Sequence, residues 1–456
     1  MSTDAAGQAR VEEFAHVQHP DEQHHEVVIV GAGFAGLEVA KRLGRAGIDV
    51  LLIDQNLYHQ FQPLLYQVAT SQVAVASVAS PLRSLLHKLR RHVTLRTATV
   101  SQIDAGSRTV TTSDGLRYHA QILVVAAGAV VNFFDTPGAE EHAYPLYSVD
   151  DATALSSAML GALDRAATGQ SAVGEGTFSV AVVGSGPTGV ETAGAIAENI
   201  KYVVSRYYSP EFAARSCRVH LVDMVDTVLG PFSQASQHYA ADRLRSVGVQ
   251  LRLGSAVSSV DAEGVTLADG SRIRADIVIW AGGLKANSLL SGSGLDTGRG
   301  GRVDVAADLT APDVTGVYVL GDAANIVDAK GRQLPQLGSV AQQSGKHAAR
   351  NIMADLRGEP RTPFTYLDKG IMAMVGRGAA VAELGAGRLR VLGPAAFLAW
   401  LAVHAALLPG VSQRVTAVTN WCRDYLSHRR PQVVVHQPAA YDHTRAGKTP
   451  STASRQ

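Results

Sequence analysis

Short runs of apolar residues alternate along the chain with longer segments in which apolar side chains recur at helical spacing. Five such runs have the length and the β-branched content of buried parallel strands: Val27–Val30, Asp49–Ile53, Val180–Val183, Arg218–Val222 and Asp276–Trp280. The order strand, helix, strand occurs twice. We therefore predict an α/β protein with two Rossmann-like, doubly wound dinucleotide-binding domains.

The first strand leads into a glycine-rich turn with the spacing G-x-G-x-x-G. Its glycines are Gly31, Gly33 and Gly36. The first permits a sharp turn, the second lets backbone N–H groups approach a pyrophosphate, and the third lets the following helix pack against the strand. Asp54 ends the next strand, where a carboxylate accepts hydrogen bonds from ribose hydroxyls. Together these features predict a dinucleotide site.

The same arrangement returns in the middle of the chain. Its glycines are Gly184, Gly186 and Gly189. Asp223 ends the strand that follows, after an inserted stretch of roughly residues 199–216. Gly282 follows the last predicted strand, where small residues let a cofactor pass close to the strand end; an ordinary turn is the alternative. We predict a second dinucleotide site here.

The residues after Asp223 indicate which nicotinamide cofactor binds. They are Met224 and Val225, with no arginine. The 2′-phosphate of NADPH would meet a carboxylate and no cation, so we expect NADH to be preferred.

Composition and charge narrow the class of protein. The chain has 456 residues, of which 46% are apolar and 18% charged, as expected for two or three globular domains. Its net charge is +1, so we expect no nucleic-acid partner. Its two cysteines, Cys217 and Cys422, cannot form a CxxC pair, which excludes enzymes that relay electrons through a dithiol and fits a reducing cytoplasm. We predict no metal site.

Two dinucleotide sites in one chain suggest a redox reaction. If the first holds FAD permanently and the second holds NADH transiently, hydride can pass from nicotinamide to flavin, which then reduces a third compound.

Five longer segments carry a specific resemblance to a known family. They are residues 53–70, 126–152, 316–325, 366–382 and 421–430. In these segments the chain resembles the type II, non-proton-pumping NADH:quinone oxidoreductases, and the likeness extends over about residues 25–435. This resemblance implies FAD and NADH as cofactor and substrate, and quinone as the electron acceptor.

The resemblance also implies roles for single residues. Gly31, Gly33, Gly36 and Asp54 would hold the AMP half of FAD, and Gly321 with Asp322 its ribityl and pyrophosphate half. Gly184, Gly186, Gly189 and Asp223 would hold NADH. Glu191 would bind the nicotinamide carboxamide and orient the hydride, although a carboxylate in a first helical turn also interacts well with the helix dipole. Lys369 would stabilise negative charge on flavin or quinone; an ordinary surface lysine is the equal alternative.

The predicted quinone side departs from the family at one position. The register of residues 334–350 puts Ser339 where the family has its first glutamine, while the second glutamine is present as Gln343. Positions 339 and 343 share a helix face, so both side chains could line a quinone pocket. The shorter serine would lose a direct hydrogen bond or replace it with water.

The C-terminal region contains two apolar segments, residues 394–408 and 411–426. Both are shorter than the roughly 20 residues of a membrane-spanning helix. Their tryptophans, together with Arg414 and Arg423, suggest an amphipathic helix pair lying in the plane of the membrane surface. The alternatives are a dimer interface or a lid buried on the protein's own core.

The predicted order of domains is discontinuous. Residues 1–23 form a disordered leader, 24–140 and 286–385 the FAD domain, 141–285 the inserted NADH domain, 386–435 the C-terminal module, and 436–456 a disordered tail. We expect a peripheral protein on the cytoplasmic face of the cell membrane, with a homodimer as a candidate assembly. A soluble NADH-dependent reductase with another small-molecule or protein acceptor is the main alternative, and a non-enzymatic redox sensor is a third.

Overall fold

The computed structural model describes residues 22–427, except 172, 173, 175 and 386. The predicted tail, most of the predicted leader and residues 428–435 therefore lie outside the described residues. Residues 22 and 23, which the prediction placed at the end of the leader, belong to the first strand. Their backbone pairs with Arg117 and Tyr118, which extends the first strand toward the N-terminus.

Strands and helices alternate through most of the described chain. The strands are β1 (Glu22–Val30), β2 (Val50–Asp54), β3 (Tyr58–Gln60), β4 (Ala79–Pro81), β5 (Val93–Thr97), β6 (Val100–Asp104), β7 (Thr109–Thr112), β8 (Arg117–Val125), β9 (Ala129–Val131), β10 (Tyr144–Pro145), β11 (Phe178–Val183), β12 (Cys217–Val222), β13 (Val249–Arg252), β14 (Val257–Asp261), β15 (Gly264–Leu267), β16 (Arg272–Arg274), β17 (Ile277–Trp280), β18 (Leu284–Ala286), β19 (Val303–Asp304), β20 (Val317–Val319), β21 (Ala324–Asn325), β22 (Gly370–Gly376), β23 (Ala379–Leu384) and β24 (Leu389–Leu392). The α-helices are α1 (Phe34–Arg45), α2 (Leu65–Ala69), α3 (Val75–Val78), α4 (Leu82–Leu86), α5 (Ala139–His142), α6 (Val149–Ala167), α7 (Pro187–Asn199), α8 (Ser205–Tyr207), α9 (Pro210–Arg215), α10 (Gln234–Ser246), α11 (Gly338–Leu356), α12 (Gly393–Leu407) and α13 (Val411–Ser427).

The first sheet is the scaffold of the predicted flavin site. Within the described residues its strand order is β5-β2-β1-β8-β7-β6, and β20 also pairs with β8. The strands β5, β2, β1, β8 and β20 are parallel, whereas β6 and β7 form an antiparallel excursion. Helices α1 and α11 cross closely because Gly345 has no side chain; a Cβ there would lie 2.4 Å from the carbonyl oxygen of Ala35.

The second sheet repeats this plan. Its order is β10-β17-β11-β12-β13, with every pairing parallel, and β14, β15 and β16 form a separate antiparallel sheet beside it. The inserted stretch is helical: a π-helical segment at Ile200–Val204 is followed by α8 and α9. The prediction of two doubly wound units is confirmed.

The C-terminal region packs onto the second unit. Strands β22, β23 and β24 form an antiparallel sheet, and helices α12 and α13 follow it along the chain. One continuous core joins β22 and β23, the inner face of α12, and the side chains of the second sheet. Within the described residues, no helix is both long enough and apolar enough to cross a membrane.

Candidate active site

The first glycine turn has the close contacts that its sequence predicts. Gly31 has a φ of +97°, and a Cβ there would lie 2.3 Å from the carbonyl oxygen of Ala126. At Gly36 a Cβ would lie 1.9 Å from the carbonyl oxygen of Gly31, so only glycine lets α1 approach the strand. At Gly33 a Cβ would meet no protein atom within 4 Å, which leaves the space for a ligand.

The acid at the end of β2 faces this turn. Oδ2 of Asp54 accepts a hydrogen bond from the backbone N–H of Ala32 at 2.6 Å, and Oδ1 accepts one from Asn56 at 2.7 Å. Burial raises the pKa of this carboxyl against the lowering effect of those two N–H groups. The structure therefore brings the predicted acid directly to the predicted turn.

The second turn has nearly the same geometry. A Cβ at Gly189 would lie 1.7 Å from the carbonyl oxygen of Gly184, and a Cβ at Gly186 would again meet nothing within 4 Å. Gly184 has a φ of +111° and packs against the backbone of Gly282, which explains the small residues after β17. Oδ2 of Asp223 accepts hydrogen bonds from the backbone N–H and the hydroxyl of Ser185, at 2.5 and 2.8 Å.

A cavity of about 1060 Å³ opens beside the first turn. It is lined by Gly31 and Gly33 of the turn, by Asp54, by residues 126–131 after β8, and by Tyr147. Open space at Gly33, a carboxylate for ribose and a volume of this size are the features that FAD requires. The residues present therefore fit the cofactor.

Asp322 is linked to this cavity through Tyr147. The Tyr147 hydroxyl donates to Oδ2 of Asp322 at 3.2 Å. Burial raises the pKa of Asp322, while Tyr147 and the Arg302 guanidinium act in the opposite direction. Gly321, with a φ of +64°, turns the chain at this point between α1 and α11. Tyr147 lies in one of the five segments that carry the resemblance, but only its contact with Asp322 indicates a role for it.

His59 is a second residue that the sequence did not single out. Its Nδ1 lies 2.9 Å from the carbonyl oxygen of Ala32, so Nδ1 is the protonated nitrogen that donates to the turn. Burial lowers the pKa of His59 to about 4, so the ring is neutral at physiological pH. The side chain therefore supports the turn between Gly31 and Gly33 without adding charge.

Glu191 is a buried acid on α7, near the second turn. Its Oε1 accepts hydrogen bonds from the backbone N–H of Met374 at 3.0 Å and from Nε1 of Trp400 at 3.2 Å. Burial raises the pKa of Glu191 to about 8 despite these two donors. Its partners lie on β22 and α12. The alternative of a carboxylate in a first helical turn is wrong, because α7 begins at Pro187 and has no acid in its first turn. Its contact with nicotinamide stays a prediction.

The predicted quinone-side residues meet the segment before β22. The amide of Gln343 donates to the carbonyl oxygen of Leu367 and accepts from its N–H, both at 3.0 Å. The Ser339 hydroxyl lies 2.9 Å from the Tyr366 hydroxyl. The two positions do share a helix face, and both side chains contact the same short segment, residues 366–367. Lys369, directly before β22, is exposed.

The C-terminal helices turn their tryptophans inward. Trp400 is fully buried and Trp421 is 3% exposed. The expectation that these rings lie at a membrane interface is wrong, because both indoles donate hydrogen bonds to side chains inside the protein. The alternative of a lid on the protein's own core applies to this inner face.

The outer face of α13 is apolar. Exposed Val411, Val415, Val418, Cys422 and Leu426 recur at helical spacing, and we call this row the apolar stripe. Arg414 and Arg423, both exposed, lie on either side of it. On α12, Leu398 and Leu407 are also exposed.

The two cysteines do not form a redox pair with each other. Cys217 is buried, which raises its pKa to about 12, whereas Cys422 is exposed, and neither forms a disulfide. Within the described part of the chain, no group of three or more histidine, cysteine or acidic side chains is placed to hold a metal ion.

Comparison with known proteins agrees with this geometry. A sequence profile of the pyridine nucleotide-disulphide oxidoreductase family matches residues 25–345. The type II NADH:quinone oxidoreductase Ndh of Mycobacterium tuberculosis is 36% identical, over 93% of each chain. The type II NADH:quinone oxidoreductase of Staphylococcus aureus is 28% identical, over 77% of this chain and 87% of its own.

Solved structures share the fold. NDH2 from Plasmodium falciparum, solved in complex with NADH, has a TM-score of 0.78 and 16% identity, and the match covers 90% of this chain and all of that one. The sulfide:quinone oxidoreductase of Aquifex aeolicus has a TM-score of 0.68 and 17% identity, over 89% of this chain and 94% of its own.

These relatives also establish the cofactor and the substrate. The matched family is FAD-dependent, and NADH is the substrate of the type II enzymes. The expectations of FAD and NADH are therefore confirmed. This chain belongs to the type II NADH:quinone oxidoreductases, within the pyridine nucleotide-disulphide oxidoreductase family.

Proposed function

We propose that this protein oxidises NADH at the second turn and passes the electrons, through FAD at the first turn, to quinone at a membrane surface. The observation that best supports this proposal is the pair of matched turns, each after a strand in a parallel part of its sheet and each with an acid hydrogen-bonded to it. When bound, FAD supplies the hydride-accepting and electron-donating chemistry. The protein's own residues bind the two dinucleotides, orient them and exclude water.

On the NADH side, Glu191 is the orienting residue. Both protein donors meet Oε1, so Oε2 has no donor among the described residues and is available to the nicotinamide carboxamide. An ionised Glu191 accepts from the carboxamide N–H and so limits the rotation of the nicotinamide ring. This positioning, rather than proton transfer, is its contribution to hydride transfer.

On the quinone side, α11 positions the segment that carries Lys369. Gln343 holds the backbone of Leu367, and Ser339 pairs with Tyr366. We assign Gln343 and Tyr366 to the polar wall of the quinone site, with Lys369 as the cation that stabilises developing negative charge. Tyr366 then has the role that the first glutamine has in the family.

The apolar stripe is the proposed membrane contact. Helix α13 buries one side in the protein and exposes the stripe, with Arg414 and Arg423 positioned to meet anionic lipid headgroups. Attachment in the plane of the membrane would bring the enzyme to quinone dissolved in the bilayer. We place the protein on the cytoplasmic face as a peripheral protein.

Three substitutions on the stripe test this proposal: Val411→Glu, Val415→Glu and Val418→Glu. The triple variant should lose sedimentation with anionic phospholipid vesicles and reduction of vesicle-embedded quinone, while NADH oxidation with soluble ferricyanide continues. Burial of each valine is worth about 1.5–3 kcal/mol, so binding should weaken by far more than tenfold.

The matched control makes the same charge change at polar positions beside the stripe: Ser412→Glu, Thr416→Glu and Thr419→Glu. It should stay bound to vesicles. If both triple variants bind lipid like the wild type, the stripe is not the anchor. If only the stripe variant changes the oligomeric state, with lipid binding intact, the stripe is a dimer interface instead.

A further inference from the structure

The C-terminal helix α12 reaches into the NADH half of the molecule. Nε1 of Trp400 donates to Oε1 of Glu191 at 3.2 Å, and both side chains are buried. From this contact we infer that Trp400 is a positioning residue for NADH oxidation, which holds Glu191 in place for the nicotinamide. The inference rests on the proposed role of Glu191, and it gives the C-terminal module a part in the hydride step besides membrane attachment.

Trp400 is held rigidly enough for this role. The ring of His404 stacks on it, with centroids 3.8 Å apart and planes inclined by 19°. The rings of Tyr66 and Trp421 meet it edge-on, at 6.3 and 6.1 Å. A donor that is fixed in advance loses little entropy when it engages its acceptor, so the indole keeps Glu191 in one rotamer.

The bond stabilises the ionised form of Glu191. An N–H that donates to a carboxylate favours the charged state, and burial opposes it. His404 is neutral because burial lowers its pKa to about 4, and its Nδ1 lies 2.8 Å from the carbonyl oxygen of Trp400.

The other titratable groups near Glu191 do not replace this donor. Tyr66 on α2 carries a pKa well above its usual value, because it is buried and close to Glu191. Glu198, on α7, accepts from the backbone of Arg377. Tyr425 of α13 also raises the pKa of Tyr66. The Tyr425 hydroxyl accepts a hydrogen bond from the Gln72 amide. Strand β22, which supplies the Met374 N–H, carries no titratable side chain.

The two faces of α12 have different surroundings. Trp400 lies on the buried side of the helix, and Leu398 is exposed on the other. Because α12 directly precedes α13, which carries the proposed membrane contact, the bond from Trp400 would connect the C-terminal module to NADH oxidation. Deleting α12 would therefore remove a donor from Glu191.

The test uses Trp400→Phe in the full-length FAD-bound enzyme. The substitution keeps a buried aromatic ring and removes the N–H. Stopped-flow reduction of the flavin by NADH is measured over a pH range that brackets 8, the value to which burial raises the pKa of Glu191. The inflection of this profile should move upward by about one pH unit, the amount expected for one lost hydrogen bond to a charged group.

Trp421→Phe is the matched control. Trp421 is also buried, lies in the same aromatic cluster, and donates to a neutral acceptor, Oε1 of Gln67, at 2.7 Å. Its loss should leave the inflection in place. If both variants move the inflection equally, the effect comes from packing and the inference is overturned.

A double-mutant cycle with Glu191→Gln separates the inference from the proposed function. If Glu191→Gln alone leaves flavin reduction unchanged, the proposed role of Glu191 fails. If Glu191→Gln slows reduction but Trp400→Phe leaves the inflection unmoved, only the Trp400 inference fails. If Trp400 acts through Glu191, Trp400→Phe should add no further slowing in the Glu191→Gln background.

A closer isostere covers the case in which Trp400→Phe does not fold. Benzothienylalanine at position 400 has the shape of tryptophan, with sulfur in place of the N–H. An upward shift of the inflection with this side chain supports the inference, and an unchanged inflection overturns it.

Discussion

The two glycine turns have nearly the same backbone, but their acids have different surroundings. Asp54 lines a cavity of about 1060 Å³ together with residues 126–131 and Tyr147. Asp223 is followed by Met224 and Val225, which are 72% and 47% exposed. The turn and the acid are common to both predicted dinucleotide sites, whereas the surrounding chain differs, and we expect this difference to set how long each dinucleotide stays bound. A cavity of this size suits a resident FAD, and the exposed edge beside Asp223 suits NADH, which must exchange at each turnover.

The largest expected effects come from the third glycine of each turn. Gly36→Ala and Gly189→Ala each place a Cβ within 2 Å of a carbonyl oxygen, a clash that costs roughly 1–3 kcal/mol. Gly36→Ala should abolish FAD retention, measured as bound flavin after gel filtration. Gly189→Ala should retain FAD that dithionite reduces but NADH does not. Equal flavin loss from both variants would contradict the assignment of separate ligands to the two turns.

Substitutions of the two acids should likewise affect different ligands, FAD at the first turn and NADH at the second. Asp54→Ala should lose FAD, because the ribose hydroxyls lose their acceptor in the cavity beside the first turn. Asp223→Ala should stay yellow but bind NADH at least about tenfold more weakly, since it loses hydrogen bonds to a charged group. Flavin content and titration with NADH measure the two effects. A fully loaded Asp54→Ala protein would show that the first site was assigned wrongly.

Glu191→Gln should slow flavin reduction by NADH roughly 10- to 100-fold, because the nicotinamide loses its orienting acceptor. The wild-type rate should rise with pH through about 8, since burial raises the pKa of Glu191 to that value and only the ionised form accepts from the carboxamide. The variant should lose this inflection. A Glu191→Gln profile that still rises near 8 would assign the titration to another group.

The smallest expected effect concerns the 2′-phosphate. Met224→Arg places a cation beside Asp223 on the exposed edge of the second site and should raise kcat/KM for NADPH by about three- to tenfold. Met224→Gln, which is similar in length and uncharged, is the control. An equal gain from both variants would mean that shape rather than charge limits NADPH.

Much of the fold and of both dinucleotide sites was predictable from sequence, because each depends on local geometry. Gly31 and Gly36 lie within one turn and a few residues of a strand, so their spacing alone predicts their contacts. The prediction for the tryptophans was wrong because an apolar helix can direct its rings either to lipid or to the core. The composition of residues 394–408 is the same in both cases.

The sequence by itself determined the two turns, their acids, the helix pair and the departure at Ser339. Only the tertiary structure decided what the C-terminal helices contact. Glu191 and Trp400 are 209 positions apart, and no spacing rule connects them. Their meeting depends on how β22, β23 and α12 pack on α7, since burial in one shared core is a property of the whole chain and not of any short segment.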